Sequence, residues 1–182
     1  MTAPLVIVAD PPWLFGDALG QRGAEANYAC MDLDGVFHAM RRVLAPWDPL
    51  VKECGSVLFL WRVAAMQFEA LSVAEDLGYA IKAELVWEKL TKTGAPHFGM
   101  GRYVRNSHEI CLIGTRGRAM PDVHNVRSRF AASVREHSRK PEEFYRVVER
   151  MYPRSRRIEL FARTRRPGWV QHGLELGKVA AE

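Results

Sequence analysis

Apolar residues fall into short blocks with two alternating periods. Leu5-Val6-Ile7-Val8-Ala9 is an unbroken apolar run that stops at Asp10-Pro11-Pro12-Trp13. A run this short, closed by two prolines, predicts a buried strand that ends abruptly. Asp32 can cap a helix to about Leu44, with Leu33, Val36, Phe37, Met40, Val43 and Leu44 at helical spacing, and Pro46 ends it. Residues 45–55 read as a connector and 57–61 as a second buried strand. Residues 62–77 return to the helical period, with Gly78 as the stop. A strand is predicted over 83–88, a long loop over 91–106 and a strand over 109–114. Residues 115–137 read as irregular and basic. Ser138 can cap a helix that carries Pro141 at its start and runs to Met151. The last strand is expected at 157–162, followed by a tail with Pro167, Gly168, Gly173 and Gly177. Strands alternating with helices predict one three-layer α/β domain over residues 1–182 with a mostly parallel sheet.

The length of 182 residues suffices for a proper core, and 48% hydrophobic with 26% charged residues is a globular composition. No apolar run reaches the ~18 residues a membrane span needs. Cys30, Cys54 and Cys111 are odd in number and scattered. They form no disulfide frame or zinc motif and point to a reducing cytoplasm. No basic segment precedes the first strand as in a signal peptide. The net charge of +5 is unevenly spread: residues 116–168 hold fifteen Lys or Arg against six Asp or Glu, and the rest eleven against fifteen. That is +9 and −4, and such a basic block favours a polyanion, most often nucleic acid.

The chemistry concentrates at the end of the first strand, where open α/β sheets place their ligands. Asp10 brings an acid, Pro11 and Pro12 bring rigid carbonyls, and Trp13 an aromatic plane. Two readings are open for this tetrapeptide. It grips a flat polar ring, or it is a proline turn with Trp13 packed over the core.

Further along, Tyr28-Ala29-Cys30-Met31, Phe59-Leu60-Trp61, Val86-Trp87-Glu88-Lys89, Gly99-Met100-Gly101-Arg102-Tyr103 and residues 109–114 follow in order. His137-Ser138-Arg139-Lys140-Pro141-Glu142-Glu143, Glu159-Leu160-Phe161-Ala162-Arg163 and Gly168-Trp169 complete the series. With the leading tetrapeptide, this order resembles the METTL-type adenine-N6 methyltransferases. That family is typified by the catalytic subunit of the messenger-RNA methylation complex, and many bacterial and phage members act on DNA. The resemblance covers nearly the whole chain. It implies a Rossmann-like, S-adenosylmethionine-dependent methyltransferase fold, circularly permuted, with the catalytic strand early and the cofactor strand late.

The implied roles are specific. Asp10, Pro11, Pro12 and Trp13 would be catalytic: the carboxylate and the Pro11 carbonyl take the two amine protons, and the indole stacks on the base. Asp10, Lys140, Glu159, Phe161, Arg163, Gly173, Leu174 and Glu175 would hold the cofactor, with Lys140 on its carboxylate. Leu174 stands where the family usually has asparagine, which leaves Glu175 to accept from the ribose. Tyr28, Lys89, Gly101, Arg102 and Tyr103 would contact the substrate, with the 98–106 loop as a clamp on the flipped base or its flanking strand. The sulfonium supplies the electrophile, so no metal is expected. A paired adenine must be flipped out or already unpaired. The basic surface, including Arg154, Arg156 and Arg157, is expected on the phosphates. DNA is the favoured partner over RNA, and a second copy or partner subunit could complete the cofactor site. The alternatives are an RNA adenine methyltransferase and a silent nucleic-acid-binding subunit of the same fold.

Overall fold

Strand β1 (Leu5–Ala9) is buried on both faces and lies near the middle of a seven-stranded sheet. The computed structural model describes residues 2–14, 30–101, 103–135, 139–173 and 176. The other strands are β2 (Ser56–Arg62), β3 (Ala80–Leu90), β4 (His108–Arg116), β5 (Arg129–Ser133), β6 (Arg157–Leu160) and β7 (Val170–His172). The spatial order is β5-β3-β4-β2-β1-β6-β7. The pairings β1–β2, β1–β6, β3–β5 and β6–β7 are parallel, and β4 is antiparallel to β2 and β3. Six strands therefore point one way and β4 alone points the other. Their carboxyl ends share one edge with the start of β4.

Alternate residues of the strands feed two separate cores. Leu5, Ile7, Leu58 and Leu60 pack against α1 (Leu33–Leu44), α2 (Asp48–Cys54) and α3 (Gln67–Asp76). Val6, Val8, Phe59 and Trp61 pack against α4 (Glu142–Met151) on the other face. This period-two division explains why β1 and β2 read as continuous apolar runs. It also makes the three layers expected from the sequence.

Helix α1 starts where predicted, with the Asp32 side chain accepting from the Gly35 N–H at 2.8 Å. Four stretches differ from the sequence reading. The supposed connector contains α2, because Pro49 sits in its first turn, where a missing N–H costs nothing. The stretch read as irregular holds β5, a strand pairing along one side only, and the tail holds the short β7. Helix α4 begins two residues later than expected. Pro141 is extended at φ −71° and ψ 153° and forms its boundary without a side-chain cap. Ser138, the expected cap, lies outside the described residues.

Candidate active site

The end of β1 is fixed by main-chain bonds. Trp13 N–H donates to the Pro11 carbonyl at 2.9 Å, Met31 N–H to Pro12 at 2.8 Å and Leu14 N–H to Met31 at 2.9 Å. Met31 therefore straps the tetrapeptide down. The Trp13 indole N–H donates to the Trp61 carbonyl at 3.1 Å, and the residue is only 4% exposed. Of the two readings of the tetrapeptide, Trp13 takes the packed one. The expected stacking plane is a core residue, because its apolar area is worth more against Met31 and the β2 end than in solvent. Asp10 stays at the surface of the edge, with a side chain 24% exposed.

Lys140 reaches this acid from the segment before α4. It is only 8% exposed. Its Nζ lies 2.7 Å from Asp10 Oδ2, 3.2 Å from Glu109 Oε2 and 5.0 Å from the Trp61 ring centroid. Glu109, at the start of β4, meets Lys89 at the end of β3 with an Nζ–Oε1 distance of 2.5 Å. Asp10, Lys140, Glu109 and Lys89 thus form an alternating chain of charges across the sheet edge. Two carboxylates and two ammonium groups cancel, which is how charges this enclosed are tolerated. Burial by itself pushes the Lys140 pKa down, but Asp10 and Glu109 together outweigh it and raise the value. Burial likewise pushes Glu109 up, and Lys140 with Lys89 pull it below the ordinary carboxylate value.

The sequence missed Glu109, which shows there only as a polar residue opening a strand. Lys140 was expected on the carboxylate of a cofactor. In the structure its nearest partners are protein carboxylates.

One strand over, β6 ends at Leu160, and Phe161 follows at φ +59°, the one non-glycine residue at positive φ among those described. Such strain is held only where surroundings fix it, and it turns the chain away at the sheet edge. Glu159 lies on the α4 face, where Tyr145 OH donates to its Oε1 at 2.5 Å and Gln171 Nε2 to its Oε2 at 2.6 Å. Burial raises the Glu159 pKa, with those two hydrogen bonds opposing. Burial also pushes the Tyr145 hydroxyl far up, helped by Glu159. Arg166 stacks 4.1 Å from the Tyr145 ring centroid and pairs with Glu142. A cavity of about 200 Å³ opens here, lined by Arg139, Glu142, Tyr145, Glu159, Thr164, Arg165, Arg166 and Pro167. Its cations, hydroxyl and carboxylate suit a polar ligand with a carboxylate and hydroxyls. Its volume is below the ~300 Å³ of the smallest usual ligand sites, so it would take part of such a molecule.

The other expected residues divide. Gly173 backs onto Ala162, where a Cβ would come 2.0 Å from the Ala162 carbonyl oxygen, so glycine is required for packing there. Arg163 is half-buried beyond Phe161. Gly101 and Tyr103 lie on the 91–107 loop, which rises from Lys89. Tyr28, Arg102, Leu174 and Glu175 fall outside the described residues. Arg154, Arg156 and Arg157 sit at the opposite edge. Arg157 is level with Val6, at the start of β6, and donates to the Tyr152 and Pro153 carbonyls at 2.8 and 3.0 Å. Arg154 pairs with Asp122 at 2.5 Å. At ~3.3 Å per strand residue, Arg157 starts about 13 Å from the level of Asp10. These three arginines, expected on the phosphates, therefore lie away from the edge that carries Asp10, and Arg154 and Arg157 already have protein partners.

Known proteins bear on this arrangement. Residues 4–175 match the MT-A70 family. The chain is 31% identical over 182 residues to a probable N(6)-adenosine-methyltransferase MT-A70-like protein of Oryza sativa, covering 96% of this chain and 23% of that protein. It is 30% identical over 186 residues to the human N(6)-adenosine-methyltransferase catalytic subunit METTL3, covering 96% and 28%. It is 25% identical over 185 residues to the type II methyltransferase M.MunI of Mycoplasma, covering 94% and 77%. The chain thus spans about a quarter of the N(6)-adenosine-methyltransferase relatives named here. The tetrapeptide at the end of a central strand, the neighbouring late strand and the match over residues 4–175 give one answer: the chain belongs to the MT-A70 family.

Proposed function

We propose that the protein transfers a methyl group from S-adenosylmethionine to the exocyclic N6 amine of an adenine in DNA. The observation that carries this reading is Asp10 at the junction of β1 and β6, held by Lys140 with one carboxylate oxygen. Its other oxygen, Oδ1, is the atom assigned to the amine in this reading.

The amine of adenine is a weak nucleophile because its lone pair is delocalised into the ring. Asp10 Oδ1 accepts one amine hydrogen. The Pro11 carbonyl accepts from Trp13 with one lone pair and keeps a second for the other amine hydrogen. Two fixed acceptors favour the tetrahedral nitrogen of the transition state over the flat ground state. Lys140 and the Met31 strap hold both acceptors without reorganisation. S-adenosylmethionine supplies the electrophilic methyl group. The nitrogen gains the methyl, the cofactor would be left as the neutral thioether with the carbon–sulfur electron pair, and the surplus amine proton passes to Asp10, whose Oδ1 already accepts it. The polar cavity beside Tyr145 and Arg166 is suited to part of that cofactor, and Phe161 caps the strand next to it.

The similarity to the type II methyltransferase M.MunI supports DNA as the substrate. The N(6)-adenosine names of the other relatives favour RNA as the second reading. The test is transfer of labelled methyl groups to single-stranded DNA, duplex DNA and RNA, with methylated positions read by sequencing. Asp10→Asn should abolish transfer to all three and keep the fold. Asp10→Ala is the poorer variant, because it strips a buried lysine of one partner. Full activity in Asp10→Asn would end the proposal.

A further inference from the structure

The loop over residues 91–107 carries more exposed apolar surface than the active site needs. Phe98, Met100, Tyr103 and Val104 are 76, 92, 101 and 73% exposed, a concentration that marks an interaction surface. Its tip is tightly built. A Cβ at Gly99 would lie 2.3 Å from the Asn106 carbonyl oxygen, and one at Gly101 would lie 1.9 Å from that of Val104. Only glycine lets the two arms fold so closely. Arg105 lies 5.2 Å from the Phe98 ring centroid and reaches back to the Gly101 carbonyl at 3.4 Å.

The loop is fastened to the charge chain. The Lys89 N–H donates to the Ser107 carbonyl at 2.8 Å, and the Lys89 carbonyl accepts from the His97 N–H at 2.9 Å. Both arms therefore hang on the lysine that pairs with Glu109. Residues 91–107 contain Lys92, Arg102 and Arg105 and no acid. Aromatic planes interleaved with cations are the composition that stacks bases and tracks a phosphate backbone. A symmetric contact of this loop with its own copy would set like charges together, which disfavours a second copy as the occupant.

We propose that this loop is a stacking wedge for unpaired bases that flank the target, so that the substrate is single-stranded or locally opened nucleic acid. Phe98 and Tyr103 supply the planes, and Arg105 braces Phe98 and meets phosphate. The wedge takes the place of the plane that Trp13 cannot offer. The proposal rests on the adenine-methylation reading only for which base is the target.

The experiment measures binding of labelled single-stranded DNA and RNA by anisotropy. A fluorescent purine is placed beside the target adenine to report stacking. The double variant Phe98→Ala/Tyr103→Ala should bind at least tenfold more weakly, about the loss of one stacked base, and should lose the fluorescence change. Its salt dependence should be unaltered, since no charge is removed. Unaltered affinity and unaltered fluorescence in this variant would overturn the wedge. So would a wild-type dimer that the double variant converts to monomer while affinity for nucleic acid is kept. Methyl transfer is followed in parallel. Wild type that stacks the probe and methylates nothing supports the wedge and removes the adenine reading. Active wild type with a double variant that binds as tightly does the reverse.

Discussion

Glu109 connects Lys140 to Lys89, and so links the acid on β1 to the foot of the loop after β3. Glu109→Gln keeps the shape and removes the charge. Breaking one partner out of a buried pair costs about 3–5 kcal/mol. With a side chain 22% exposed, Glu109 should fall at the lower end of that range. Its pH dependence has a definite sign. The folded-state pKa lies below the ordinary 4.5, so its contribution is present above pH 4.5 and is lost as pH falls through the depressed value. Thermal melting of wild type and Glu109→Gln should therefore differ at neutral pH and converge in acid. A gap that persists unchanged into acid would show that the ion pairs add nothing. The acid and prolines of the tetrapeptide were legible in the sequence because they are contiguous. Glu109 was not, since its partners lie 31 and 20 residues away and only the antiparallel β4 brings them together.

At the level of elements, the apolar period foretold β1, β2, α1 and α3 well, because each buries a whole face or stripe. The misses are elements whose burial is partial. Helix α2 is seven residues long behind a proline, β5 pairs along one side only, and β7 has three residues. Trp13 shows the same limit in one side chain. An aromatic after a proline pair fits a ligand plane as well as a core anchor, and only the Trp61 carbonyl decides between them. Trp13→Phe should lower stability by about 1–2 kcal/mol, from a small cavity and a lost hydrogen bond. Nucleic-acid affinity should be unaffected. A tenfold loss of affinity without a lower melting temperature would place the indole against the base instead.

Across the whole molecule, the basic stretch of residues 116–168 is contiguous in sequence and split in space. Helix α4 and the strands carry it from one sheet edge to the other. Arg139, Lys140, Arg165 and Arg166 end at the edge of the candidate site. Arg116, Arg154 and Arg157 end at the far edge, engaged with Asp48, Asp122 and main-chain carbonyls. A linear count of charge could not separate the two groups. Charge reversal at Arg154, Arg156 and Arg157 should accordingly leave affinity for a short oligonucleotide and its salt slope nearly unchanged. A slope reduced by about one for each residue reversed would put phosphate on the far edge.

The placement of β1 between β2 and β6 also governs how the chain is made. Among the seven strands β1 is made before the others, yet its second neighbour is not synthesised until residue 160. While residues 10–156 are being made, one flank of Leu5–Ala9, fully apolar, is an unpaired edge of the kind that recruits other chains. Two of the seven strands, β6 and β7, are made only after residue 156. Completion of the fold and assembly of the site are therefore a single late event, since the strand that closes the sheet also delivers Phe161 beside Asp10.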